Sequence, residues 1–269
     1  MKYKFTKMQG TGNDYIFFDC LKNKIEYPET LSVILSRRRF SVGSDGIVLI
    51  LPSKKYDAAM EIYNSDGSEG KMCGNAIRCV AKYLYDKKIV RTPDMQIDTK
   101  SGVRDLFLFD RCGETFVTVN IGKATFLSDI PDIFYENKKE DFECVNVGNL
   151  HSVVFCENPE KIEISKAGTF FENNPAFPER VNTEFVRIEK DFIEMRVFEK
   201  GSGETLSCGT GASASVAAAV KRGYFGFSSP VTVKLKGGEL EVLCDRNFNL
   251  TLTGNAVTVY EGVYYDKDE

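Results

Sequence analysis

The apolar residues of this chain recur with two periods, and the periods mark where helices and strands should lie. Ile77, Val80, Ala81 and Leu84 fall at i, i+3, i+4 and i+7, one apolar face of a helix. A second helix is predicted over 208–222, where small residues follow Cys208-Gly209-Thr210-Gly211. Lys221 and Arg222 suit its last turn and Gly223 its stop. Residues 28–39 read as a helix with Pro28 near its start, and 162–172 as another. Strands are predicted at 46–51, 58–64, 95–100, 106–109 and 116–121. Residues 144–156 read as two strands about a turn at Gly148-Asn149-Leu150. Hairpins follow about Lys190-Asp191 and Gly237-Gly238, and strands at 250–252 and 257–260 close the chain.

One pattern occurs twice. Glu69-Gly70-Lys71-Met72-Cys73-Gly74 and Glu204-Thr205-Leu206-Ser207-Cys208-Gly209 share a Glu-x-x-x-Cys-Gly frame, and each runs into a helix. The two cysteines are 135 positions apart in 269, so each half carries one Cys-Gly-helix unit. The expectation is an α/β (α+β) chain of two pseudo-symmetric domains made by internal duplication, each a mixed sheet wrapped around a central helix. Residues 1–118, with a C-terminal strand at about 255–269, would hold Cys73, and 119–254 would hold Cys208.

Charge narrows the function. The net charge of −4 and the lack of a basic stripe argue against nucleic acid. Arg37-Arg38-Arg39 reads as a solvated helix end. The longest apolar run, 47–51, is too short to span a membrane. Met1-Lys2-Tyr3-Lys4 does not open a secretory leader, so a cytoplasmic setting with reduced thiols is expected. The eight cysteines form no Cys-x-x-Cys, and no metal site is expected. Gly10 and Gly12 lack the third glycine of a dinucleotide loop; that loop better suits bringing Asn13 to a small ligand.

A thiol at a helix N-terminus meets unpaired N–H groups, which can lower its pKa from about 8.5 into roughly 3.5–7.5. Two such thiols of opposite protonation state could take a proton from one side of a carbon and return it on the other. N–H groups at the helix starts would hold the neighbouring carboxylate as charge develops. The bland alternative is that both are small buried core residues.

These residues resemble the diaminopimelate epimerase family. Met72-Cys73-Gly74-Asn75 and Gly203-Glu204-Thr205-Leu206-Ser207-Cys208-Gly209-Thr210-Gly211 match its two catalytic motifs. The stretches around Lys7–Asp14, Asn64–Ser68, Gly148–His151 and Phe177–Asn182 match as well. The resemblance implies a cofactor-free isomerase, independent of PLP, that interconverts L,L- and meso-diaminopimelate on the route to lysine and peptidoglycan, commonly as a homodimer. It implies Cys73 and Cys208 as the acid/base pair. Asn13, Asn64, Asn75, Asn149 and Asn182 would bind substrate, with Gly74, Gly209 and Thr210 as donors at the reacting end. His151 and Glu199 would hold the substrate ammonium or tune the thiols. Lys200 stands where the family has Arg, and is the expected cation for the far carboxylate. Ala76 and Leu150 also depart from the usual Gly and Pro, and Gly46 sits where some members have Gln. A proline racemase or hydroxyproline epimerase of the same fold is one alternative, which Asn75 in place of His argues against; a non-catalytic thiol sensor is another.

Overall fold

The computed structural model describes residues 2–265, which divide into two compact units: 2–119 with 254–265, and Asn120–Thr253. The first begins with β1 (Lys2–Gly10), β2 (Asn13–Asp19), α1 (Pro28–Leu35), β3 (Gly46–Leu51), β4 (Ala58–Asn64) and β5 (Glu69–Gly70). It continues through α2 (Gly74–Asp86), β6 (Asp94–Asp98), β7 (Arg104–Arg111) and the first part of β8 (Glu114–Lys123), whose last residues belong to the second unit. The second holds β9 (Thr125–Leu127), β10 (Phe134–Tyr135), β11 (Lys138–Lys139), β12 (Phe142–Asn146), β13 (Leu150–Phe155) and α3 (Ile164–Glu172). Then come β14 (Asn182–Ile188), β15 (Phe192–Glu199), β16 (Gly203–Thr205), α4 (Gly209–Lys221), β17 (Val231–Leu235), β18 (Gly238–Cys244) and β19 (Asn249–Asn255). The closing strand, β20 (Val257–Tyr265), returns antiparallel to β1; residues 266–269 of the expected strand lie outside the described residues.

Strand pairing repeats the same plan in each unit. In the first, β2 runs parallel to β3, β3 antiparallel to β4, β4 parallel to β6, and β6 and β7 antiparallel. In the second, β13 runs parallel to β14, β14 antiparallel to β15, β15 parallel to β17, and β17 and β18 antiparallel. A parallel step needs a crossover, and α1, α2, α3 and α4 are the four crossovers.

The sheet of each unit wraps its longer helix. Helix α4 packs against β12, β13, β14, β15, β17 and β18. Its residues from Gly211 to Val220 are all buried. Alanines and serines suit this position because large side chains on every face would not fit inside a curled sheet. Helix α2 buries Ile77, Val80, Ala81 and Leu84 completely, the apolar face read from sequence. The other sheet faces are covered by α1, over Ile16, Phe18, Ile47 and Leu49, and by α3, over Val154, Phe177, Phe185 and Phe198. Phe171 of α3 is fully buried there, and its loss would cost roughly 3–5 kcal/mol.

One expectation is corrected. Helix α1 ends at Leu35 rather than at residue 39, because the chain turns back: Gly43 N–H donates to Leu35 O, and Arg39 and Gly43 take positive φ of 73° and 77°. The arginines are solvated as read but lie past the helix end, and Arg38 pairs with Asp14 at 2.5 Å and Asp45 at 2.9 Å. Helix α4 ends as read, with Gly223 at φ 79° and Tyr224 N–H donating to Ala219 O, a Schellman closure.

Candidate active site

Both motif cysteines occupy the position just before a helix. Cys73 (φ −132°, ψ 121°) precedes α2 and Cys208 (φ −127°, ψ 111°) precedes α4, each with extended backbone. The next turn is helical in both: Ile77 N–H donates to Cys73 O at 3.0 Å and Ala212 N–H to Cys208 O at 2.9 Å.

In the first unit, Cys73 Sγ donates to Asn13 Oδ1 at 3.4 Å, and Asn75 Nδ2 donates to the same oxygen at 3.3 Å. Asn13 Nδ2 in turn donates to Asp45 Oδ2 at 2.7 Å, which also takes Asp14 N–H at 3.0 Å. Buried Lys7 pairs with Asp14 at 2.5 Å. Burial pulls Lys7 down from its usual lysine range. Burial also pushes the Asp45 carboxyl up, as does neighbouring Asp14, while hydrogen bonds from Arg38 and Lys7 outweigh burial and hold Asp14 down. Arg78, fully buried, donates to Asn255 O, Gly74 O and Thr11 Oγ1 at 3.0–3.2 Å. It ties the first turn of α2, at Gly74, to the loop that carries Asn13. Asn64 ends β4, and its amide donates to Ser68 Oγ at 3.0 Å within its own turn.

In the second unit, Cys208 Sγ accepts from Gly211 N–H at 3.4 Å and lies 3.5 Å from Thr210 Oγ1. Glu199 accepts from Thr205 Oγ1 and lies near enough to this thiol for each to act on the other's acidity. Asn149 Nδ2 donates to Thr210 Oγ1 at 3.4 Å. Asn149 Oδ1 lies 3.0 Å from His151 Nε2, and His151 Nδ1 lies 2.7 Å from Glu184 Oε1. A continuous hydrogen-bonded path thus runs from Glu184 through His151, Asn149 and Thr210 to Cys208. Gly209, the first residue of α4, accepts from Ser213 Oγ at 2.9 Å.

The acidity of Cys208 differs from the sequence expectation. A helix N-terminus alone would lower it, yet burial first, then the charges of Glu199 and Glu184, push this thiol well above the usual range. Burial likewise raises Glu199, against the lowering effect of Thr205 and Cys208.

Asn182 and Lys200 are placed differently from the rest. Asn182 Nδ2 donates to Leu150 O at 2.9 Å and its Oδ1 accepts Lys200 N–H at 3.0 Å, so this amide pins the start of β13 to the turn after β15. The Lys200 ammonium reaches Glu179 O at 3.2 Å on the exposed surface. Sequence reasoning missed Asp45, Arg78 and Glu184. Glu184 alone left a trace, as a charge inside the apolar strand Thr183-Glu184-Phe185-Val186.

A family model described as diaminopimelate epimerase matches residues 5–127 and 143–259. The chain belongs to the diaminopimelate epimerase family. A diaminopimelate epimerase of Methanococcus maripaludis (strain C5) is 43% identical over 274 residues, 96% of this chain and 98% of that one. One from Desulfovibrio desulfuricans is 39% identical, covering 97% and 98%. Among solved structures, a PhzF-family phenazine biosynthesis protein of Bacillus anthracis superposes with a TM-score of 0.80 at 17% identity, covering 99% of this chain and 100% of that one. A hydroxyproline epimerase of Agrobacterium vitis does so at 0.77 and 16%, covering 97% and 92%. Diaminopimelate epimerase relatives therefore extend along nearly the whole chain, whereas the structural likeness, at such identities, shows the fold alone.

Proposed function

We propose that this member of the diaminopimelate epimerase family is an isomerase that interconverts L,L- and meso-diaminopimelate by moving the α-proton between Cys73 and Cys208, without a cofactor. The observation that carries this is the pair of motif thiols, each set just before the central helix of its unit in matching backbone geometry. Cys208 is kept protonated by burial and by Glu199, so it is the proton donor in one direction. Taking the proton then falls to Cys73, and the roles exchange in the reverse reaction. The helix starts at Gly74, Gly209 and Thr210 present N–H groups for the α-carboxylate, where charge builds up in the transition state. Asn13, Asn64 and Asn75 in one unit and Asn149 and Asn182 in the other would offer polar groups to the rest of the substrate, with Lys200 as the cation for the far carboxylate.

The test is purified protein with L,L-diaminopimelate in deuterated water. Deuterium should enter the α-position as meso product forms, and absence of both would end this reading. The homodimeric state and the cytoplasmic setting belong to the same proposal; sedimentation at micromolar concentration checks the first and cell fractionation the second.

A further inference from the structure

Beyond helping to raise the Cys208 thiol, Glu184 has no part in the chemistry above, and its surroundings are unusual for a carboxylate. Its side chain and that of His151 are both without exposed surface. Oε1 meets His151 Nδ1 at 2.7 Å, while Oε2 has no hydrogen-bond partner. Among the described residues no lysine or arginine pairs with it. It is also wedged under the first turn of α4: a Cβ added to Gly211 would lie 2.4 Å from Oε1. A buried carboxylate is costly unless its partner carries the compensating charge.

A ring with hydrogen on both nitrogens would supply that charge. Nδ1 faces a carboxylate oxygen and so carries hydrogen. Nε2 faces Asn149 Oδ1, because the amide nitrogen of Asn149 is turned to Thr210 Oγ1. That pattern is satisfied when Nε2 carries hydrogen too. The other charged or ionisable groups towards the ring are Glu199 and, through Asn149 and Thr210, the Cys208 thiol. We propose that Glu184 is a positioning residue of the active site: it holds His151 with hydrogen on both nitrogens, and the ring holds Asn149 with its amide NH2 directed at Thr210 beside Cys208. With a neutral partner at 184, Nε2 would lose its hydrogen and accept from Asn149, turning the amide over and presenting the wrong face to Thr210 and to substrate.

This rests on the reading of Asn149 as a substrate ligand, but its first test does not use turnover. His151 is the single histidine of the chain, so its ring nitrogens can be read by 15N NMR without ambiguity. In the native protein both should show protonated shifts. In Glu184→Gln, Nε2 should become unprotonated, the Asn149 side-chain amide resonances should move, and kcat/KM should fall at least ~10-fold, mainly through KM. A native ring with one bare nitrogen overturns the proposal, and needs no variant to fold. So does an unchanged ring in Glu184→Gln, or a changed ring with unchanged kcat/KM. If the native protein turns over no diaminopimelate, the epimerase reading fails, while the ring and amide signals still decide whether Glu184 sets their state.

Discussion

Asn13 Nδ2 donates to Asp45 Oδ2 at 2.7 Å, and that bond fixes which face of the Asn13 amide meets Cys73. With nitrogen committed to Asp45, Oδ1 is the atom that receives both Cys73 Sγ and Asn75 Nδ2. Asp45→Ala frees the amide to turn over, and kcat/KM should fall at least ~10-fold. Asp45→Asn, which can still accept from Asn13, should lose less. Equal losses in the two, measured alongside Tm, would show that the Asp45 charge and not its acceptor matters.

On the proposed mechanism each motif thiol is indispensable. Cys73→Ala and Cys208→Ala should each slow epimerisation by at least ~10²-fold, the lower scale of acid–base catalysis. Cys79 lies on α2, is fully enclosed, and is pushed by burial to about 12, so it is chemically silent at neutral pH. Cys79→Ala should keep most activity. Formation of meso product from L,L-diaminopimelate reads all three, and near-native epimerisation in either Cys73→Ala or Cys208→Ala would remove the two-base mechanism.

Cys208 should resist alkylation near neutrality. Its thiolate is disfavoured by burial and by Glu199 and Glu184, so the onset of iodoacetamide labelling should lie above the ordinary thiol value of about 8.5. Glu199→Gln removes one of those charges and should move the onset to lower pH. Exposed Cys112 serves as the internal control, with labelling followed by peptide mass spectrometry. An onset below that of Cys112 would mean that the helix N-terminus, not burial, governs this thiol.

The backbone N–H of Lys200 holds the turn through Asn182, while its side chain only touches Glu179 O. Lys200→Ala therefore removes a charge and leaves the turn in place. Tm should hold, and KM for diaminopimelate should rise with kcat little changed, the signature of lost ground-state binding. An unchanged KM would show that the far carboxylate is met by another group.

Gly211 has no room for a side chain. A methyl there would sit 2.4 Å from Glu184 Oε1, and nothing around that buried carboxylate can give way easily. Gly211→Ala should destabilise by about 1–3 kcal/mol in denaturant unfolding, the scale of overpacking. No loss of stability would mean that Glu184 can retreat from the first turn of α4.

What the sequence determined by itself was local. The i, i+3, i+4 spacing from Ile77, the glycine after Arg222, and the repeated Cys-Gly before small or amphipathic helices each act within one or two turns of chain. These placed α2, α4 and both thiols at helix starts, and the shared motifs pointed to the family. The tertiary structure decided whatever depends on pairing between distant segments. Glu184 reaches His151 only because β13 and β14 lie parallel, His151 opposite Asn182. Arg38 leaves its expected helix because Asp14 and Asp45 are brought to it by β2 and the loop before β3. The sign of the Cys208 shift was decided the same way. The helix N-terminus is a local effect of partial charges, and it is outweighed by burial and by two full charges on neighbouring strands, Glu199 and Glu184, which only the folded sheet brings near the thiol.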